Sequence, residues 1–213
     1  MGTAFQTVAF DAATCRIELE EFGELLKSPD LSERNDVLPF FRLRDQLCAL
    51  TGSYLPDIGS EPLIAREFGL LNDYRADLFV GNREIEEYLA VEFEDGAADS
   101  VFRNVAGRNT KEWSPRFEHG YSQLIDWFAT LDDYKKTDKF RREFGTGHVR
   151  FMGLLVIGRN AELSPDDRSR LKWRSDRVRV DSHSIICVTF DDLYESLRKR
   201  LDRYTPMTAA TKS

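Results

Sequence analysis

Hydrophobic and polar residues follow two different periodicities along this chain. Near the start, apolar residues recur at helical spacing, which predicts two helices, over residues 17–27 and 33–51. The middle of the chain instead contains short apolar runs, which are typical of strands. These runs predict three strands, over residues 63–71, 74–80 and 87–94. The pattern therefore predicts a helical segment followed by a sheet.

Turn-forming residues separate the three predicted strands. Asn72-Asp73 lies between the first two strands and Gly81-Asn82-Arg83 between the second and third, as expected for an antiparallel meander. Residues 52–62 contain two glycines and two prolines and are predicted as a loop. The polar segment 95–115 is predicted as a second loop.

The second half of the chain alternates between helical and strand patterns. Helices are predicted over residues 116–131, 134–144 and 190–203, and another begins after Ser164-Pro165. Buried strands are predicted over residues 151–157 and 184–189. This order predicts an α/β fold, a mixed sheet flanked by helices. It matches the α-β-β-β-α-β core of the restriction-endonuclease-like fold. We expect that domain over residues 56–204, after an N-terminal helical segment (1–55) and before a frayed polar tail (205–213).

Composition narrows the class of protein. The 213 residues are 41% hydrophobic, which is enough for a substantial core, and no run approaches the roughly 18 apolar residues of a membrane span. The start of the chain lacks the pattern of a signal peptide. Cys15, Cys48 and Cys187 are scattered and predict reduced thiols. We therefore expect a cytoplasmic protein without a membrane partner.

The charge is unevenly distributed. A net charge of −7 argues against a simple cationic nucleic-acid binder, but residues 135–179 carry 13 Lys and Arg against 6 Asp and Glu. Within that segment Arg170, Lys172 and Arg174 flank Trp173, a mixture suited to contacting phosphates and stacking on bases. A solvated helix face around one core tryptophan explains the same pattern equally well.

Acidic residues interrupt two of the predicted strands. Asp77 lies in one apolar run, and Glu92 and Glu94 lie in the next. Because side chains alternate across a strand, Glu92 and Glu94 share a face, which Asp77 can reach from the neighbouring strand. Buried carboxylates are costly unless they are neutralised, and such oxygens are the ligands that Mg²⁺ prefers. The alternative is an edge strand with a solvated acidic face.

The chain resembles a known family in several motifs taken together. An Asp, then Glu-x-Lys on the next strand and a Gln on the following helix mark the PD-(D/E)XK nucleases. Within that superfamily the chain is similar to the Shedu family of bacterial anti-phage defence nucleases, over about residues 61–201. The matching segments are Ala76-Asp77-Leu78, Val91-Glu92-Phe93-Glu94, Phe117-Glu118-His119-Gly120-Tyr121-Ser122-Gln123-Leu124, residues 153–159 and residues 188–193.

The resemblance implies a nuclease that uses Mg²⁺ (or Mn²⁺), acts on DNA and forms a homo-oligomer. It implies that Asp77 and Glu92 bind the metal and that Gln123 is oriented towards them. Glu94 departs from the family pattern, which has Lys at this position. Glu94 could be a ligand or base in a Glu-x-Glu site, or a lysine from elsewhere could substitute. Candidates for that lysine are Lys111, Lys135 and Lys136.

Other interpretations remain open at this point. The site could be degenerate, so that the protein binds metal or nucleic acid as a sensor or assembly subunit without cutting. A pure interaction scaffold is a third class, which leaves the acidic strand unexplained. An acid from an early element often completes such sites, and the candidates are Glu33, Asp36 and Glu67.

Overall fold

The computed structural model describes residues 4–70 and 74–210, the last seven as backbone only. Within this part of the chain a seven-stranded mixed sheet has the order β1-β2-β3-β4-β7-β9-β8, and a separate hairpin is formed by β5 and β6. The strands are β1 (Gln6–Thr7), β2 (Leu63–Gly69), β3 (Arg75–Asn82), β4 (Glu87–Phe93), β5 (Phe102–Arg103), β6 (Glu112–Trp113), β7 (Arg150–Val156), β8 (Arg179–Val180) and β9 (His183–Val188).

Helices cover both faces of this sheet, which confirms the predicted α/β class. The α-helices of the described residues are α1 (Ala12–Leu25), α2 (Leu38–Arg42), α3 (Asp45–Thr51), α4 (Pro115–Tyr134), α5 (Asp138–Phe144), α6 (Pro165–Arg177) and α7 (Phe190–Ala210). Helices α4, α5 and α6 pack on one face, and α1, α2, α3 and α7 pack on the other.

The predicted meander is present. Strands β2, β3 and β4 pair antiparallel, and β7 pairs parallel with both β4 and β9. The predicted turn at Asn72-Asp73 lies outside the described residues. The second turn is displaced from its predicted position, because β3 extends through Asn82 and residues 83–86 make the turn. Asn82 stabilises it by accepting a hydrogen bond from the Glu84 backbone N–H over 2.7 Å.

Strand β4 is buried on both faces, and its side chains alternate between the two layers. Tyr88 and Ala90 pack in the core beneath α4, whereas Val91 and Phe93 pack in the core beneath the N-terminal helices. Glu92 continues the first series and so faces α4. The N-terminal helices therefore cover, together with α7, the opposite face of the sheet.

The prediction of one helix over residues 33–51 is wrong. A π-helical turn (Glu33–Val37), α2 and α3 take its place, with a break between α2 and α3. Side-chain donors satisfy the carbonyls at the break: Arg44 donates to Phe40 O over 2.8 Å, and Arg66 donates to Phe41 O over 3.0 Å. Because these bonds replace helical N–H donors, the chain can leave the helix at this point without orphaned carbonyls.

Smaller features also differ from the sequence-based expectations. The sequence patterns do not predict β1 or β8, and the loop predicted over residues 95–115 contains the β5–β6 hairpin. The backbone of α7 continues to Ala210, so the predicted tail begins as helix, and residues 211–213 lie outside the described residues. The expected free thiols are confirmed, since Cys15, Cys48 and Cys187 are buried and unpaired with one another.

Candidate active site

Strands β3 and β4 separate at the point where the acidic residues lie. Their ladder ends at the Leu78–Val91 pair, although the same register would place Asp77 opposite Glu92. The Asp77 carboxylate instead accepts a hydrogen bond from the Phe93 backbone N–H, with 2.9 Å between Oδ2 and N. Strand β4 meanwhile stays paired with β7 to its end. A carboxylate therefore takes the place of backbone pairing between β3 and β4.

Glu92 lies at the centre of this arrangement and is 5% exposed. Gln123 reaches it from α4 and donates a hydrogen bond from Nε2 to Glu92 Oε1. The carboxyl groups of Glu92 and Asp77 also interact, and this interaction lowers the pKa of Asp77 and raises that of Glu92. The structure thus brings together three of the residues that the sequence singled out. We call Asp77, Glu92 and Glu94 the acidic site.

Glu94 is the most buried member, at 1% exposure. Its Oε2 accepts a hydrogen bond from Arg116 Nη1 over 2.8 Å, while Oε1 is buried and has no hydrogen-bond partner among the described residues. Gly120 on α4 allows the close approach. A Cβ there would lie 2.9 Å from Glu94 Cγ and 2.8 Å from Leu155 Cδ1. Both contacts are closer than real Cβ atoms tolerate.

Arg116, in the first turn of α4, joins the acidic site to the N-terminal segment. Besides Glu94, its guanidinium lies 3.0 Å from Asp95 Oδ2 and 3.7 Å from Glu33 Oε2. Glu33 is held there because its backbone N–H donates to Asp95 Oδ1 over 2.8 Å. Glu33 is therefore the early acid that the structure places at the site.

The other candidates proposed for completing the site make contacts elsewhere. Asp36 accepts from the Ser32 N–H, and Glu67 pairs with Arg42. Each candidate lysine forms an ion pair away from the acidic site: Lys111 with Asp167, Lys135 with Asp132, and Lys136 with Asp133. The cation that contacts Glu94 is thus an arginine that sequence reasoning missed. The sequence feature that could have identified Arg116 is Ser114-Pro115, which marks the start of α4 and so places Arg116 in its first turn.

Burial shifts the protonation of the whole acidic site. Loss of solvation raises the pKa of Asp77 to about 7, although the Phe93 N–H opposes the shift. Burial, and then the charges of Asp77 and Glu94, raise the pKa of Glu92 well above its usual range. Burial also raises the pKa of Glu94 to about 7, against the effect of Arg116. The acidic site therefore favours protons or a cation near neutral pH.

The residues of the acidic site suit a divalent cation in their chemistry. Adjacent buried carboxyls and an unpartnered oxygen are hard donors in a setting that disfavours unbalanced negative charge. The three ligand atoms do not, however, all lie within 4.8 Å of one another. Asp77 and Glu92 would therefore hold a cation as a pair, and Mg²⁺ commonly keeps waters as its other ligands.

Among the described residues, the tighter spacing occurs elsewhere. Ligand atoms of Asp132, Asp181 and His183, which we call the outer trio, lie within 4.8 Å of one another. The outer trio lies near the start of β9, at the opposite end of the parallel strands. Asp132 already pairs with Lys135 over 3.0 Å, and His183 Nδ1 lies 2.9 Å from Phe151 O.

The predicted nucleic-acid contacts lie on α6 in unequal settings. Arg170 bonds to Lys111 O over 2.8 Å and stacks over Phe102 at 4.5 Å from the ring centroid. Arg174 makes a bidentate pair with Glu118 and lies over three aromatic rings of α4 and the β5–β6 hairpin. Lys172 is 77% exposed, and Trp173 is 63% exposed. The interpretation of Trp173 as a core residue is therefore wrong.

The fold and the acidic site define a mixed α/β protein of nuclease-like architecture. Among the described residues, no helix has the length and apolar character needed to span a membrane. The chain belongs to the Shedu family: a family model described as the C-terminal part of the Shedu protein SduA matches residues 30–194. The resemblance of the sequence to the Shedu family is thereby confirmed, and membership suggests a role in anti-phage defence. No curated protein matches the chain.

Proposed function

We propose that this chain is a nuclease that uses Mg²⁺ or Mn²⁺ to cleave phosphodiester bonds, with DNA as substrate, in bacterial anti-phage defence. The observation that carries the proposal is the acidic site, where buried carboxyls replace backbone pairing between β3 and β4. Family membership supports the setting in defence. Assignment to the PD-(D/E)XK superfamily rests on the same residues and their order.

Each polar residue has a role in this proposal. Asp77 and Glu92 hold the cation, and Gln123 fixes the orientation of Glu92 through its donated hydrogen bond. A divalent cation bound there supplies positive charge that stabilises the extra negative charge of the reacting phosphate. Glu94 offers its unpartnered Oε1 to accept a proton from the attacking water. Burial keeps bulk water away from these groups.

The direct test is a cleavage assay on double-stranded and single-stranded DNA, with Mg²⁺, with Mn²⁺ and with chelator. We expect cleavage by the parent only with metal, and none by Glu92→Gln. Asp181→Asn, which removes an exposed carboxylate of the outer trio, is the matched control and should cleave like the parent. A parent that cleaves neither DNA nor RNA with either metal would contradict the proposal.

A second candidate function is a nuclease-fold protein that binds metal or nucleic acid without cutting, as a sensor or assembly subunit. Position 94 favours it, because Glu stands where the family pattern has Lys and one of its oxygens is already held by Arg116. Metal and DNA binding without cleavage would select this alternative. In that case Glu94→Lys is the variant expected to restore some cleavage.

The partners that we propose are nucleic acid and further copies of this chain, in the cytoplasm. Lys172 is the exposed cation of the three predicted phosphate contacts, whereas Arg170 and Arg174 hold α6 against its neighbours. The logarithm of DNA affinity should decrease linearly with the logarithm of salt concentration. If Lys172 contacts one phosphate, the magnitude of this slope should be smaller by about 0.9 in Lys172→Ala. An unchanged slope would assign Lys172 to a solvated face.

A further inference from the structure

Arg116 and Glu94 form a pair of very unequal exposure. The Arg116 side chain is 43% exposed, whereas that of Glu94 is 1% exposed. An arginine at the surface thus reaches into the core to contact a buried carboxylate. Such a carboxylate is costly without a compensating charge, and Arg116 supplies that charge from outside the sheet.

Arg116 holds Glu94 with only one end of its guanidinium. Its Nη1 bonds to one oxygen of Glu94, while Nη2 bonds to Asp95, so the guanidinium is divided between two residues. Arg174 makes the ordinary arrangement with Glu118, where Nη1 and Nη2 contact Oε1 and Oε2 at 2.8 and 3.1 Å. The divided arrangement leaves Glu94 Oε1 buried, and none of the described residues donates a hydrogen bond to it.

A buried acceptor without a partner destabilises the folded protein, so its presence in a packed site requires an explanation. Two contacts keep Glu94 in this orientation: Arg116 holds Oε2, and α4 approaches closely at Gly120. The carboxylate therefore cannot satisfy both oxygens by turning towards Arg116. What Oε1 can accept is a hydrogen bond or proton from a molecule that enters the acidic site.

We propose that Arg116 is a positioning residue, which holds Glu94 by Oε2 so that Oε1 accepts the proton of the attacking water. The proposal rests on the nuclease function proposed above. As the water oxygen bonds to phosphorus, its proton passes to Glu94 Oε1. The bond from phosphorus to the leaving oxygen breaks, that oxygen keeps the electron pair, and solvent supplies its proton. Arg116 contacts neither water nor phosphate in this role.

Lysine at position 116 is the informative substitution. It keeps the positive charge beside Glu94, but an ammonium group on a flexible stem lacks the planar fork that contacts Glu94 and Asp95 together. Arg116→Lys should therefore retain the charge balance of the acidic site and lose the orientation of Glu94. Charge and orientation are thus separated by one variant.

The experiment is a double-mutant cycle of Arg116→Lys and Glu94→Gln, read in kcat and KM on DNA with Mn²⁺ and in Mn²⁺ affinity by calorimetry. We expect Arg116→Lys to lower kcat by about 10- to 100-fold, with KM and the Mn²⁺ Kd within about threefold of the parent. In the Glu94→Gln background the same change should cost almost nothing more, because Arg116 acts through Glu94.

Arg44→Lys is the matched control. Arg44 pairs with Glu21 over 2.8 Å and stacks on Phe40, and it is partly buried and outside the acidic site. This variant should lower Tm without changing kcat.

Two results would overturn the role of Arg116 alone: equal losses of kcat in both backgrounds, or a Mn²⁺ Kd weakened more than about fivefold by Arg116→Lys. A parent that does not cleave would instead contradict the nuclease function, and the proton-acceptor role with it.

Discussion

Two groups of potential metal ligands lie at opposite ends of the parallel strands, and they differ in what surrounds them. The outer trio has ligand atoms within 4.8 Å of one another but lies at the surface, where Asp132 pairs with Lys135. The acidic site has looser spacing, yet Glu92 and Glu94 are almost completely buried. In the outer trio, water and Lys135 can satisfy the carboxylates. In the acidic site the Phe93 N–H, Gln123 and Arg116 donate to Asp77, Glu92 and Glu94, respectively, and the remaining negative charge can be balanced only by protons or a cation.

The two groups separate two criteria for a metal site, which are close ligand spacing and the energetic cost of burying carboxyl groups. Exposed acidic groups meet a distance criterion at little energetic cost, since water solvates them. Buried carboxyls without full pairing reduce stability, and such destabilised groups concentrate at functional sites. We therefore propose the acidic site, and not the outer trio, as the place where a divalent cation binds, and the following experiments test that proposal.

The largest expected effect concerns the ligands themselves. Asp77→Asn and Glu92→Gln should each lower the cleavage rate by about 10³-fold or more and weaken Mn²⁺ binding in calorimetry, because each removes a charged donor. Asp181→Asn and His183→Ala, in the outer trio, should leave both quantities near the parent values. The reverse pattern, with Mn²⁺ affinity lost in the outer trio variants, would invert the comparison.

The next effect is on stability. With a folded pKa raised to about 7, the ionised form of Asp77 is disfavoured in the native state, so metal-free protein should lose stability as pH rises from about 4 to 7. The protonated Asp77 contributes its full stabilisation of the native state only at pH values below the pKa of Asp77 in the unfolded chain. A shift of about three units sets an upper limit of about 4 kcal/mol for this loss.

Thermal melting in chelator across that pH range measures this effect. Asp77→Asn cannot ionise, so its Tm should fall less than that of the parent between pH 4 and 7. Added Mg²⁺ should restore part of the parent's Tm at pH 7 and above, by binding the native state only. Parallel curves for parent and variant would show that burial of Asp77 carries no such cost.

The smallest effect concerns packing around Glu94. Gly120→Ala should cost about 1–3 kcal/mol of unfolding free energy and displace Glu94, because the new methyl meets both Glu94 and Leu155. Gly23→Ala on α1 is the control, since its Cβ would meet only the Tyr194 ring, at 3.1 Å or more. Calorimetric Mn²⁺ affinity should change in the first variant alone. Unchanged stability in Gly120→Ala would show that α4 can move away.

Local patterns in the sequence carry much of the fold. Short apolar runs and turn residues were sufficient to predict β2, β3, β4, β7 and β9, and alternation along β4 correctly placed Glu92 and Glu94 on one face. These features depend on residues close together in the chain, which is why they can be read from it. The break between α2 and α3 could not be predicted from local patterns, because one of the donors that stabilise it comes from Arg66, a residue of β2.

The site was predictable to the same extent. Asp77, Glu92 and Gln123 come together as the resemblance implied, while the contacts of Arg116 with Glu94, Asp95 and Glu33 depend on how three separate segments meet. The sequence also showed six basic residues from Arg168 to Arg179. It did not indicate that Arg170 and Arg174 form hydrogen bonds with other parts of the chain. Side-chain engagement of this kind is a tertiary property.

The N-terminal helices have a consequence for how the molecule unfolds. Their apolar side chains, such as Phe22 and Phe41, share one core with Val91 and Phe93 of β4 and with α7. Residues 31 and 96 also bond to each other through both backbone groups, at 3.3 and 2.8 Å. Neither layer can melt without exposing the apolar surface of the other, so the helical segment and the sheet belong to one cooperative folding unit.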